Sequence, residues 1–155
     1  MTTSSTGGPG GPTRLDVAVN AGDFRGVPHA LIRAAVVHAL EHEGVRRGEV
    51  SVTMLSDDEI RAMNRDYLSK DRPTDVIAFS LGGDEGVMGD VYVGLEQARR
   101  QADELGIPAE EEIARLAVHG VLHVLGHEHP EDAGREDSPM YRLQERLLDE
   151  VLRGR

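Results

Sequence analysis

The sequence predicts an α+β fold: a single domain with one four-stranded mixed sheet covered by about five helices. Three observations carry this. Two early strand patterns are each followed by a helical pattern, two more short strand patterns occupy the middle of the chain, and everything after them has helical periodicity. A chain of 155 residues suits one domain, which at this size buries roughly two thirds of the surface its unfolded form exposes.

Residues 1–13 are rich in Ser, Thr, Gly and Pro. They carry too few apolar side chains to offset the entropy of ordering, so a disordered tail is expected there and the domain is expected over 14–155. Leu15, Val17 and Val19 alternate as in a half-buried strand, and from Pro28 the spacing of Leu31, Ala35 and Val37 predicts a helix that ends at Gly44. Val50, Val52 and Met54 alternate again. Ser56, with Glu59 three residues later, forms a capping box for a helix carrying Ile60, Met63 and Tyr67.

Asp71 and Pro73 turn the stretch Lys70 to Thr74, after which Val76 to Phe79 form a short apolar run suited to a buried strand. Beyond a Gly82 to Gly86 loop, Val91 and Val93 mark the fourth strand. Three helices close the chain. Leu95 to Leu105 is stopped by Gly106, Pro108 leads into Ile113, Leu116 and Val118, and Ser138 with Pro139 caps a stripe of Met140, Leu143, Leu147 and Val151.

Composition excludes several functions. The chain has no Cys, so disulfides and thiolate metal sites are ruled out and any metal must sit on imidazole or oxygen. The net charge of −11 argues against a general grip on nucleic-acid phosphates, and an RNA substrate would need a local basic patch. With no Trp, three Tyr and two Phe, base-stacking platforms are scarce. No long apolar block or signal pattern is present, so a soluble cytoplasmic protein that makes no membrane contact is expected.

The chemistry concentrates in His119-Gly120-Val121-Leu122-His123 and the residues after it. A spacing of four puts the two imidazoles on one helix face, one turn apart. Gly126 can take the left-handed conformation that ends the helix, and Pro130 biases His129 toward an extended geometry from which it folds back as a third ligand. Three neutral imidazoles plus water make the open site typical of catalytic zinc, in which the ion lowers the pKa of its water to about 7. His127 competes for the third place, but an unbroken helix would put it roughly 12 Å along the axis from His119. The alternative to a metal is a set of surface or hydrogen-bonded core histidines. His38 and His42, also four apart, lack a third ligand or a chain break and read as a solvated face.

Zinc peptidases carry a Glu general base directly after the first His, where this chain has Gly120. The ligand spacing otherwise is similar to the longer metzincin form. Peptide hydrolysis is therefore not expected, whereas phosphodiester hydrolysis with the metal as Lewis acid remains open.

From about Leu15 onward the chain resembles the YbeY family of bacterial endoribonucleases. The resemblance rests on Met63-Asn64 with Tyr67, Lys70-Asp71 followed by Pro73-Thr74-Asp75-Val76, Gly89-Asp90-Val91, and above all the run His119 to His129. It implies an α+β domain with one divalent ion, Zn2+ or a relative, on His119, His123 and His129. It further implies cleavage of single-stranded ribosomal RNA in rRNA maturation and ribosome quality control, and association with the small ribosomal subunit. Some relatives have an Arg after the Tyr, implicated in cleavage, where this chain has Leu68. The residue before the third ligand is often Asp and here is Glu128.

Arg61 and Arg65 on the second helix, with Lys70 and Arg72 in the turn, form a basic cluster. In light of the resemblance, Lys70 and Arg72 are expected to contact backbone phosphates beside the metal. Asp75 is expected either to orient a metal-bound water or ligand imidazole, or to cap a turn. Glu128 is a candidate proton acceptor. Two other functions compete with the nuclease: a ribosome assembly factor with a structural zinc, and another metallohydrolase.

Overall fold

The computed structural model describes residues 12–82, 86–129 and 137–154. The expected tail, apart from exposed Pro12 and Thr13, lies outside the described residues, as do Pro130 and the centre of the Gly82 to Gly86 loop. The chain runs β1 (Arg14–Asn20), α1 (His29–His42), β2 (Arg47–Leu55), α2 (Asp57–Leu68), β3 (Val76–Ser80), β4 (Val87–Gly94), α3 (Leu95–Leu105), α4 (Ala109–Val124) and α5 (Pro139–Arg153). Among the described residues this is the expected α+β architecture. Pro28 and Pro108 stand one residue outside their helices as N-caps.

The four strands form one sheet in the order β1-β2-β4-β3. β1, β2 and β4 are parallel, with Val17 opposite Val50 and Val50 opposite Gly89, and β3 runs antiparallel to β4 with Ala78 opposite Val91. Parallel neighbours need a long crossover, which α1 supplies between β1 and β2. The period-2 alternation sends Val50, Val52, Met54, Val91 and Val93 into one core, shared with α1, α3, α4 and α5. On the opposite face α2 buries Ile60 and extends an edge-to-face chain of Tyr67, Phe79 and Tyr92, with ring centroids 5.7 and 6.0 Å apart.

α4 is the central helix, packed against α1, α3, α5, β3 and β4. It is apolar nearly all round, and Ile113 and Leu122 are effectively inaccessible. Burying each contributes roughly 1.5–3 kcal/mol. Gly120 lies close against the sheet: a Cβ there would lie 2.5 Å from Val91 Cγ1 and 3.2 Å from Val76 Cγ2. The position at which a peptidase carries its base is thus a packing glycine.

No helix among the described residues is long and apolar enough to cross a membrane.

Candidate metal centre

His119 and His123 occupy the last turns of α4, on the side that faces the turn between α2 and β3. The helix then stops in a Schellman motif: His127 N–H donates to Leu122 O (2.9 Å) and Gly126 N–H to His123 O (2.9 Å), with Gly126 at φ 98°. This reversal brings His129 back over the helix end. His119 Nε2 lies 3.1 Å from His123 Nε2 and 3.2 Å from His129 Nε2. Among the described residues these three form the group able to hold a metal, with ligand atoms all within 4.8 Å of one another.

The spacing fits an ion. Two nitrogens bound to one tetrahedral zinc, each at roughly 2.0–2.1 Å, stand about 3.3 Å apart. The opposite side of two rings is already occupied, since His119 Nδ1 is 2.6 Å from Gln144 Oε1 and His123 Nδ1 is 3.0 Å from the His127 carbonyl oxygen. A carbonyl only accepts, so in a neutral ring so bonded Nδ1 carries the proton and the facing Nε2 presents a lone pair. Lone pairs 3.1 Å apart repel unless a cation or a proton lies between them.

His127 turns away from the cluster. Its ring bonds Glu43 Oε1 at 2.5 Å, at the end of α1, and only its carbonyl serves the site. His38 and His42 likewise stay apart, paired with Glu150 (2.8 Å) and Glu43 (3.1 Å). The hydrogen bond from His127, opposed by burial and supported by His42, holds the Glu43 carboxyl below its ordinary pKa of 4.5. A depressed carboxyl pKa stabilises the fold above the unfolded-state value, and that contribution is lost as pH falls through the lower folded-state value. Urea titrations should therefore show Glu43→Gln less stable than wild type at neutral pH, with the gap closing below about pH 4.5 as the carboxyl protonates in both states. A gap that persisted unchanged into acid would contradict this role.

The cluster opens into a cleft of about 380 Å³ lined by Lys70, Arg72, Asp75, Glu128 and the three histidines. Asn64 helps to build it: buried on α2, its Nδ2 donates to the Arg72 backbone carbonyl (2.9 Å), and its backbone carbonyl accepts from Lys70 N–H (3.2 Å). This ties the turn carrying both cations to α2. The expected four-residue basic cluster divides in two. Arg61 pairs with Asp71 at 2.8 Å and Arg65 with Asp66 at 3.0 Å, while Lys70 and Arg72 line the cleft. Asp75 lines the same cleft as His119, and Glu128 is exposed at the rim.

The family model for endoribonuclease YbeY matches residues 23–152. The chain belongs to the YbeY family. Endoribonuclease YbeY of Persephonella marina is 36% identical over 145 residues, covering 89% of this chain and 92% of that protein. The Bacillus velezensis YbeY is 43% identical over 125 residues, covering 72% and 78%. A solution structure of a Thermotoga maritima protein superposes with a TM-score of 0.61 at 27% identity, covering 89% of this chain and 90% of that one. The sequence resemblance to the YbeY family is therefore borne out.

Two residues that serve this site were given no role from sequence. Asn64 counted only as part of the motif that carries the resemblance, with nothing to show that it is buried. Gln144 is a polar side chain within the buried stripe of Met140, Leu147 and Leu148, a break in pattern that was a usable signal.

Proposed function

We propose that the protein is a zinc-dependent endoribonuclease that cuts single-stranded ribosomal RNA in the cytoplasm, at or near the small ribosomal subunit. The class of enzyme, an endoribonuclease hydrolysing RNA phosphodiesters, follows from the family. The metal, the strand preference, the residue roles and the ribosomal partner are the proposal. The observation that carries it is the convergence of three Nε2 atoms at the floor of a cleft whose wall holds Lys70 and Arg72.

His119, His123 and His129 hold the ion. When bound, it supplies a Lewis acid and a water acidic enough to act as nucleophile near neutral pH. Lys70 and Arg72 bind phosphate oxygens on either side of the scissile linkage and so hold the strand against the ligands. Asp75, on the wall of the same cleft, orients the attacking water, and the Glu128 carboxylate accepts its proton at the rim. A flexible single strand can follow a cleft of this size, whereas a stiff duplex presents its phosphates on a wide cylinder.

The decisive experiment measures cleavage of a single-stranded rRNA fragment and of its duplex after metal removal by chelator and after zinc is returned, with co-sedimentation on small subunits in parallel. Cleavage of the single strand alone, lost with the metal and regained with zinc, supports the proposal. Cutting that survives complete metal removal, with contaminating nuclease excluded, overturns it. In the same assay Glu128→Ala should be slow and regain rate from small buffer bases, and full rate without them removes Glu128 from the mechanism.

Lys70→Ala/Arg72→Ala should weaken RNA binding and make the log–log salt dependence shallower by about 1.4, the loss of two phosphate contacts at about 0.7 each for a single strand. Unchanged affinity and slope, measured by fluorescence anisotropy, would remove these residues from the interface.

A further inference from the structure

Gln144 is 3% exposed on the apolar stripe of α5, a costly place for an amide unless its hydrogen bonds are met. Its Nε2 donates to Glu145 Oε2 at 3.0 Å and its Oε1 faces His119 Nδ1 at 2.6 Å. An ionised carboxylate can only accept, which fixes the amide's orientation: the NH2 end belongs to Glu145 and the carbonyl end to His119. Glu145 is itself held in a two-pronged ion pair by Arg115, Nε to Oε2 at 2.8 Å and Nη2 to Oε1 at 3.1 Å. Arg115 is anchored in turn on its own helix, α4, by Glu112 (2.7 Å), a carboxylate only 3% exposed.

The chain of consequences runs from charge to tautomer. Arg115 sets the Glu145 carboxylate, that carboxylate sets the amide, and the amide's oxygen demands a proton on His119 Nδ1. His119 Nε2 is then left bare and aimed at His123 and His129. We propose that Gln144, locked by Glu145 and Arg115, is a positioning residue that presets His119 as the Nδ1–H tautomer, so that the ligand cluster is organised before an ion arrives. This rests on the reading of the three histidines as metal ligands.

Full-length protein stripped of metal, at mildly alkaline pH, is compared as wild type, Gln144→Met, Gln144→Glu and Glu145→Gln. Imidazole nitrogen NMR reads the His119 tautomer, and competition with a chromophoric chelator reads zinc affinity. Wild type should show Nδ1–H in the metal-free state. Gln144→Met keeps the volume but offers no acceptor, so it should show a mixed or reversed tautomer and bind zinc about 10–100-fold more weakly. Gln144→Glu still offers an acceptor oxygen to His119 while its other oxygen shares a proton with Glu145, so it should restore the Nδ1–H form and most of the affinity. Glu145→Gln, which tests the lock without emptying the core, should give a mixed tautomer.

A folded Gln144→Met protein with wild-type tautomer and wild-type zinc affinity would overturn the proposal. If Gln144→Met does not fold, a Glu145→Gln protein with an unmixed Nδ1–H form overturns the lock just as directly. Failure of the underlying reading looks different: wild-type protein would then bind no zinc, while the metal-free spectra would still report whether Gln144 selects the tautomer.

Discussion

His123→Ala protein is expected to come through purification without metal and to cleave RNA roughly a thousandfold more slowly, the rate equivalent of the several kcal/mol that a metal supplies to a developing charge. The size of the effect follows from geometry. His123 Nε2 stands 3.1 Å from that of His119, and its Nδ1 is tied to the His127 carbonyl that shapes the turn toward His129. Removing the ring deletes one of the three proposed ligands and loosens the segment carrying another. The fold should survive, because His123 sits half-buried at the end of α4 and is not part of the apolar core. Elemental analysis, a cleavage assay with added zinc, and melting of the metal-free protein separate the two effects. A variant that keeps stoichiometric metal and wild-type cleavage would show that these histidines are not the site.

Gly120→Glu should cost the protein its fold. The change would turn the segment into the peptidase pattern, yet it should yield no peptidase. A Cβ at this position meets Val91 Cγ1 at 2.5 Å, so even Ala requires the Val91 side chain or the helix to give way, at about 1–3 kcal/mol for overpacking against a gain of about 1 kcal/mol in helix propensity. A carboxylate adds the burial of an unpaired charge, worth several kcal/mol more. Against a typical stability of about 5–15 kcal/mol, Gly120→Glu is expected to unfold or to melt far below Gly120→Ala, which should itself be only mildly destabilised. Urea midpoints for the three proteins rank them. A Gly120→Glu protein as stable as wild type would mean that α4 does not approach β4 as closely as described.

The elements were legible because their signals are local. Ser56 and Glu59 make the capping box that the sequence pattern indicates, and Gly106 and Gly126 end α3 and α4 with positive φ. Gly126 also singled out His129 over His127 as the third member of the cluster, since a helix that breaks there cannot keep His127 on the ligand face. What was not legible is non-local. Nothing in the alternation of β4 says that it inserts between β2 and β3. Gly120 could be read only as a missing base, because the residues that require a glycine, Val91 and Val76, are distant in sequence. Gln144 meets His119 across 25 positions, and only its polar break in an apolar stripe hinted at a partner. Arg61 and Arg65 counted as part of a basic patch until their acidic partners were placed beside them.

The central claim is that three imidazoles share one ion. It is tested most directly by anomalous diffraction at the zinc absorption edge from crystals grown with zinc. The expected result is a single strong peak about 2.0–2.1 Å from the Nε2 atoms of His119, His123 and His129. Well-ordered rings with no peak between them at saturating zinc, or a peak on other residues, would contradict it.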